Sequence, residues 1–344
     1  YGSVLERLKD VFRTENDVLV FTASGTGAFE SAVANLTEPG ERALVVSSGN
    51  FGERWATMVA GYGADVDHLR YAWGDTPEPA EVRDRAAGAR IVYIVHSETS
   101  TGVVSDLQAL AAAAKEAGAL VVVDAISSLG AVPCETDAWG LDVVVAGSQK
   151  ALMTPPGLGL VSVSPAALAR ARETSTPRFY FDWERTRKAQ ATLDAPFTPA
   201  VPLVLGLDVA LGLILSEGLE AAFERHVRLG RSTRAGIKAM GLELASPDED
   251  RSAVVTTVRP PDELDVAAFL LDLRDRLGVQ LIGGQGEWKG KVFRIGHIGY
   301  FDLFDITTAL AATEDGLAAA GVDIERGVAV TAALAAYEGA RTRP

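Results

Sequence analysis

Residues 141–150 read LDVVVAGSQK: a short run of valines, then small and polar residues, then a lysine. Similar apolar runs that end in polar or small residues occur at 18–21, 43–46, 91–95, 120–123 and 158–163. Runs rich in Val, Ile and Leu with little alternation are typical of parallel strands buried on both faces. Alanine-rich helical stretches lie between them, at 27–36, 51–62, 79–87 and 107–117. This alternation predicts an α/β fold with a doubly wound, mostly parallel sheet.

The second half of the chain departs from this rhythm. Residues 172–202 are rich in aromatic and charged residues and in proline, which predicts a long functional connection. A long helical stretch is predicted at residues 203–240. Strands at 253–258 and 292–295 and helices at 264–277 and 303–320 then predict a smaller α+β unit. A length of 344 residues fits two domains, since domains average about 150 residues. We therefore expect a large domain at 1–240 and a small C-terminal domain at 241–344.

Composition excludes several classes of protein. The 32 basic and 46 acidic residues give a net charge of −14, which argues against a nucleic-acid partner. No apolar run reaches the roughly 18 residues of a membrane span, so no membrane partner is expected. Cys134 is the single cysteine, so no intrachain disulfide can form, and a reducing cytoplasm is the expected location. We expect this thiol to be a small buried side chain. The four histidines show no metal-ligand spacing, so no metal site is predicted.

The residues that follow the strands are the candidate site, because ligands of such sheets bind at the carboxyl ends of the strands. Ser24, Gly25 and Thr26 open a helix, where backbone N–H groups and the helix dipole suit a phosphate, although a plain helix cap explains them equally well. A nicotinamide dinucleotide is the rival ligand, since SGTGAFE loosely resembles G-x-G-x-x-G. That fingerprint needs a carboxylate after the second strand, where residues 47–50 read SSGN, so a nicotinamide-dependent oxidoreductase is disfavoured.

Asp124 and Lys150 each end a predicted buried strand. A carboxylate there is costly unless it is paired, although it could also cap the segment that follows. A lysine emerging from a buried strand end is a candidate for a depressed pKa and for Schiff-base chemistry, against the alternative of a solvated surface lysine. A phosphate cradle, a carboxylate and a lysine at one sheet edge together suit pyridoxal 5′-phosphate.

The segments ASGTGAFES, SSGNFGERW, HSETSTGV, VVVDAISSLGAVP, GSQKALMTPPGLG and VFRIGHIGY occur in this order. With the lysine signature at 141–150, they resemble the class V aminotransferases, in particular the alanine–glyoxylate and serine–pyruvate (serine–glyoxylate) branch. The resemblance covers essentially the whole chain. It implies the fold-type-I architecture of pyridoxal phosphate enzymes and a homodimer with shared active sites.

The resemblance also implies roles for individual residues. Lys150 matches the imine-forming lysine and Asp124 the partner of the pyridine nitrogen. Phe51 matches the aromatic residue stacked on the cofactor ring, and Thr99 matches a hydroxyl near the ring's phenolic oxygen. Arg294 matches the arginine that grips the substrate carboxylate. The remaining matches concern the cofactor phosphate and are Ser24, Gly25, Thr26, Gln149 and, in the neighbouring subunit, Thr198.

The chain departs from its relatives in two places. Relatives often carry Tyr three residues before the threonine that corresponds to Thr198, where this chain has Ala195. Relatives also begin with a Gly-Pro-Thr-Pro-like segment that lines the substrate pocket, and this chain is expected to start after it.

The function that the resemblance implies is transfer of an amino group from alanine or serine to a 2-oxo acid such as glyoxylate or pyruvate. The alternatives are 2-aminoethylphosphonate transamination or a lyase reaction on the same scaffold, and a non-catalytic accessory subunit.

Overall fold

A computed structural model describes residues 1–339 of the 344-residue chain. Its strands are β1 Asp17–Thr22, β2 Arg42–Ser47, β3 Asp65–Arg70, β4 Ile91–Val95, β5 Ser97–Glu98, β6 Val103–Val104, β7 Leu120–Asp124, β8 Val143–Gly147, β9 Leu158–Val163, β10 Glu243–Leu244, β11 Val255–Arg259, β12 Ile282–Gly283 and β13 Phe293–Gly296. Its α-helices are α1 Gly2–Phe12, α2 Gly25–Leu36, α3 Asn50–Gly61, α4 Pro79–Ala86, α5 Leu107–Glu116, α6 Pro165–Glu173, α7 Trp183–Gln190, α8 Val201–Glu217, α9 Leu219–Ala239, α10 Val266–Leu277, α11 Leu303–Ala319 and α12 Val328–Gly339.

The main sheet has seven strands in the order β1-β9-β8-β7-β4-β2-β3. The α/β fold with a mostly parallel sheet is confirmed. One strand was predicted in the wrong direction: β9 runs antiparallel to both β1 and β8. The connection 148–157 contains no helix and is shorter than the dozen or more residues that a parallel crossover requires, so β9 returns beside β8.

The prediction also missed β3, which reads DVDHLR and forms the edge of the main sheet beside β2. Only Leu69 in this strand is buried. An edge strand meets solvent along one side and tolerates charged residues, so it lacks the apolar run that marked the other strands.

The core of this sheet is apolar and aromatic. Phe29 on α2 stacks on Trp55 on α3 with ring centroids 4.0 Å apart, and Tyr93 on β4 lies 4.9 Å from Trp55. Aromatic pairs at such distances add about 0.5–1.5 kcal/mol each beyond their buried area. Cys134 is buried, as predicted, and burial raises the pKa of its thiol to about 12.

The described residues form two compact units, residues 1–98 with 105–219 and residues 99–104 with the described residues from 220 onward. The second unit contains an antiparallel sheet, β10-β11-β13-β12, and a separate core that includes Ile237, Phe293 and Leu310. The change between units after Leu219 comes earlier than the predicted boundary near Gly241. The predicted helical stretch is two helices separated at Gly218, which adopts φ 88°, and α9 contributes Leu229 and Ile237 to the second core.

Among residues 1–339, no single helix has both the length and the apolar character needed to cross a membrane. One bent pair, α8 with α9, meets those criteria by length and composition only.

Candidate active site

Two neighbouring parallel strands bring Asp124 and Lys150 to the same edge of the main sheet. Asp124 is the last residue of β7 and pairs in register with Val145 on β8. The backbone of β8 continues through Gly147 and Ser148 to Lys150. Because parallel strands end on the same side, the carboxylate and the amine lie on the wall of one cavity.

This cavity has a volume of about 190 Å³. The predicted site residues among its lining are Ser24, Gly25, Thr26, Phe51, Asp124, Gln149 and Lys150. They come from segments that are widely separated in the sequence, so the fold brings together most of the predicted cofactor site. The cavity is also lined by residues that the sequence analysis did not select: Phe29, Arg54, Ser97, Ile126 and Ser127.

The loop after β1 begins α2 at the cavity wall. The Ser24 hydroxyl accepts a hydrogen bond from the Gly27 N–H at 3.3 Å, so Ser24 is an N-cap. A cap and a phosphate site are compatible here, because the cap satisfies one N–H group while the first turn of a helix leaves several unpaired. The capping interpretation therefore holds without excluding the phosphate interpretation.

The loop after β8 is folded around Ser148. Its hydroxyl donates to the Pro155 carbonyl at 2.8 Å and accepts the Leu158 N–H at 3.3 Å. A Cβ at position 147 would lie only 2.9 Å from Oε1 of Gln149, so Gly147 leaves room for the Gln149 side chain. This loop therefore holds Gln149 and Lys150 on a braced turn at the end of β8.

Asp124 is buried, with 4% of its surface exposed. Burial raises its pKa to about 8; the Ile126 N–H, which donates to Oδ1 at 2.9 Å, lowers the pKa, whereas the negative charge of Glu98 raises it. The positive charges of Lys150 and Arg54 lower it only in part. A further cation beside this carboxylate would therefore stabilise its ionised form, and a protonated pyridine nitrogen is such a cation.

Phe51 lies in the first turn of α3, where the helix comes very close to β2. A Cβ on Gly52 would lie 2.4 Å from the Cβ of Ser47, so only glycine fits. The backbone N–H groups of Phe51 and Gly52 donate to Oε2 of Glu98 at 2.9 and 3.1 Å. These contacts fix the start of α3 and the aromatic ring that it carries.

Arg54 connects two parts of the cavity and was missed by the sequence analysis. Its Nη1 donates to the Thr26 hydroxyl at 3.1 Å, and its guanidinium lies 5.0 Å from the centre of the Phe51 ring. The available signal was its position three residues after Phe51 on a helix, which places both side chains on one face. A cation at this point suits an anionic ligand.

Two buried polar atoms of the lining have no hydrogen-bond partner within residues 1–339: the Ser97 hydroxyl and Oε1 of Gln149. Buried polar groups are normally satisfied, so an orphaned atom at a cavity wall points to a polar ligand. The residues present therefore fit a cofactor that carries a phosphate, a ring cation and further hydrogen-bonding groups.

Three predicted residues lie elsewhere. Thr198 is exposed and lines a separate pocket of the first unit with Thr22 and Pro199. Thr99 and Arg294 belong to the second unit, where Nη1 of Arg294 donates to the Thr99 carbonyl at 2.5 Å. Arg294 is buried and also donates to the Gly283 carbonyl through Nε and Nη2, at 3.1 and 2.9 Å. Within the described part of the chain, no group of three or more His, Cys, Asp and Glu side chains is placed to hold a metal ion.

Comparison with known proteins adds to this geometry. A family model described as Aminotransferase class-V matches residues 2–286. The chain is 42% identical over 320 residues to a protein of Anabaena cylindrica named soluble hydrogenase 42 kDa subunit, covering 91% of this chain and 83% of that protein. It is 38% identical over 344 residues to a serine–glyoxylate aminotransferase of Methylorubrum extorquens, covering 96% and 86%.

A similar solved structure is that of pyridoxamine–pyruvate aminotransferase from Mesorhizobium loti. It matches with a TM-score of 0.94 and 31% identity, over 98% of this chain and 88% of that one. Fold and sequence therefore agree with the cavity geometry. The chain belongs to the class V aminotransferase family, and it is a transaminase with the fold-type-I architecture of that family.

Proposed function

We propose that this protein uses pyridoxal 5′-phosphate to move an amino group from alanine or serine to a 2-oxo acid such as glyoxylate or pyruvate. The observation that carries the proposal is the single cavity lined by Lys150, Asp124, Phe51 and the residues of the two phosphate-type loops. The serine–glyoxylate relative and the resemblance in sequence favour a small amino acid as donor.

When bound, the cofactor supplies an aldehyde that condenses with amines and a ring that accepts electrons from the substrate's α-carbon. Lys150 would be the attachment point, and its amine, once released, would move the proton from the α-carbon of the substrate to the aldehyde carbon of the cofactor. A neutral amine held beside the reacting carbon is a positioned general base. Asp124 would hold a proton on the pyridine nitrogen, because a buried carboxylate strongly favours an adjacent positive charge.

The phosphate would be held by Ser24, Gly25 and Thr26 at the start of α2 and by Gln149. Phe51 would pack against the face of the ring. Since the N–H groups of Phe51 and Gly52 both donate to Glu98 at the start of α3, the backbone that carries the Phe51 ring is fixed before the cofactor binds. Such preorganisation lowers the cost of ordering the site on binding.

Arg294 would bind the substrate carboxylate through a bidentate pair in both halves of the reaction. Its guanidinium is oriented by the carbonyls of Gly283 and Thr99. This orientation favours one direction of approach for the carboxylate. One arginine serving the shared carboxylate accounts for a single site that accepts both an amino acid and an oxo acid. For Thr99 we propose the contact with the ring's phenolic oxygen that the resemblance implies.

We propose a homodimer in which Thr198 reaches the cofactor phosphate of the neighbouring subunit. The support comes from α8, which begins three residues after Thr198. One side of α8 is buried through Leu207, Leu211 and Ile214. The opposite side is also apolar, yet Leu205 and Val209 are 63% and 65% exposed. A helix that is apolar all round is normally buried, so this exposed face suits a second copy of the chain.

A cytoplasmic location is part of the proposal. The support is that Cys134 is the single cysteine, so the chain can form no internal disulfide.

The proposal is tested by reconstituting the purified protein with pyridoxal phosphate and recording its visible spectrum before and after adding L-alanine or L-serine. A visible band that is lost on adding the amino acid and restored by glyoxylate or pyruvate is the expected result. A panel that includes 2-aminoethylphosphonate and elimination substrates identifies the other class V reactions. A protein that acquires no band would refute the proposed cofactor.

A second role, as an accessory subunit of a larger assembly, is favoured by the hydrogenase name of the Anabaena relative. Two measurements distinguish this role from an independent homodimer. Light scattering gives the mass of the purified protein, and affinity isolation from its native cells shows whether another protein accompanies it. Stable stoichiometric co-isolation of another protein would support the subunit role.

A further inference from the structure

Glu98 is a buried carboxylate to which the transaminase chemistry above assigns no role. It ends β5 and has 1% of its surface exposed. Its Oε2 accepts both the Phe51 N–H and the Gly52 N–H. The residue is 46 and 47 positions away from these partners in sequence, so the contact depends on the tertiary fold.

The start of α3 lacks a cap of its own. The N-cap position is Gly49, which has no side chain and makes no capping hydrogen bond. Ordinary helices solve this problem with a local Ser, Thr, Asp or Asn. Here the carboxyl group of Glu98 on β5 does so, at the helix that carries the ring-packing residue of the cavity. A buried carboxyl group is an expensive way to cap a helix, since a smaller neutral side chain would satisfy the same N–H groups at a lower desolvation cost.

The charge of Glu98 has a second effect inside the unit. Asp124, Lys150 and Arg54 line the same cavity, and Glu98 acts on Asp124 through its charge. The negative charge of Glu98 raises the pKa of Asp124, whereas the positive charges of Lys150 and Arg54 lower it. A positive charge placed in the cavity would therefore be stabilised by both carboxylates.

We propose that Glu98 is a positioning residue of the active site: its carboxylate fixes the backbone of Phe51 and Gly52 and adds a second negative charge that favours a cationic ring beside Asp124. This inference rests on the proposed pyridoxal phosphate function. It divides the role of Glu98 into a hydrogen-bonding part and a charge part, and two substitutions separate these parts.

Glu98→Gln keeps an oxygen that can accept both N–H groups and removes the charge. Glu98→Ala removes both. Asp182→Asn is the matched control, because Asp182 also caps a helix of the first unit, accepting the Arg185 N–H at 2.9 Å, and does not line the cavity. Each protein is loaded with pyridoxal phosphate, and the visible band is titrated with pH; the cofactor-free proteins are melted in parallel.

For Glu98→Gln we expect a cofactor-free melting temperature close to that of the wild type and a band whose titration midpoint moves to lower pH by about one unit. At an effective dielectric constant of about 20, one unit charge shifts a titration midpoint by about one unit when it lies about 12 Å away. For Glu98→Ala we expect the same shift, a lower melting temperature and a cofactor affinity reduced about tenfold, since two N–H groups lose their acceptor.

An unchanged midpoint in Glu98→Gln would overturn the inference, as would an equal shift in Asp182→Asn. If Glu98→Ala does not fold, Glu98→Gln still tests whether the charge of Glu98 affects the titration midpoint. A wild-type protein that never acquires a visible band would instead refute the proposed function, so the two failures are distinguishable.

Discussion

Replacing Asp124 by Asn changes the pH dependence of stability in a direction that the burial of the carboxylate determines. In the cofactor-free protein, burial raises the pKa of Asp124 from its ordinary value of 3.8 to about 8. The folded state therefore binds a proton that the unfolded state releases above pH 4. The stability linked to this proton is fully present below pH 4 and is lost as the pH rises towards 8.

The size of the loss in stability follows from the difference between the pKa values of Asp124 in the unfolded and folded states. Between pH 5 and pH 7 the folded carboxyl stays mostly protonated while the unfolded one is ionised. Linkage then removes roughly 3 kcal/mol from the free energy of unfolding over this interval, as an order of magnitude. Asp124→Asn carries no titrating proton, and its amide oxygen can still accept the Ile126 N–H, so it should not show this loss.

The assay is urea unfolding of the cofactor-free wild type and Asp124→Asn at pH 5, 6, 7 and 8. We expect the wild type to lose stability relative to the variant steadily as the pH rises. Loading the wild type with pyridoxal phosphate should abolish this loss, because a ring cation stabilises the ionised carboxylate. A constant stability difference between wild type and variant across this range would refute the reasoning that Asp124 is buried without a sufficient cation.

Four further outcomes are expected. Lys150→Ala should lack both turnover and the visible band, measured by spectroscopy, while keeping the wild-type circular dichroism; residual turnover would contradict the role of the lysine. Arg294→Ala should weaken carboxylate-dependent binding by about 2–5 kcal/mol, seen mainly in KM, since the guanidinium is buried; an unchanged KM would count against it. Leu205→Glu should convert the proposed dimer to monomers in light scattering, because it places a charge on the exposed apolar face of α8; a persistent dimer would show that this face is not the interface. Gly52→Ala should cost about 1–3 kcal/mol in urea unfolding, since its Cβ would overlap Ser47; a stability equal to wild type would mean that α3 can shift.

Much of the site could be predicted because it depends on a rule of topology. Residues that follow neighbouring parallel strands meet at one edge, so the apolar runs before Asp124 and Lys150 were enough to place both side chains on one cavity. Ser24, which follows β1, lines the same cavity although β1 pairs with the antiparallel strand β9. An apolar run predicts a buried strand but contains no information on its direction, which is why the direction of β9 was missed.

Contacts between residues far apart in sequence could not be predicted in this way. Glu98 lies in HSETSTG, and nothing in that segment indicates that its carboxylate caps α3. The same segment divides between the two units, with Ser97 in the first and Thr99 in the second. Strand-end reasoning assigns a whole loop to the strand before it, so it gave no sign that this segment is divided between the units. The break at Gly218 was missed for a different reason: an isolated glycine is tolerated inside a helix, so by itself it does not mark the end of one.

The most direct test of the central claim is to reduce the cofactor-loaded protein with borohydride, digest it and locate the retained pyridoxyl group by mass spectrometry. The account predicts one modified site per chain, on the peptide that contains Lys150. A pyridoxyl group on any other lysine, or none retained by a protein that has bound the cofactor, would contradict it.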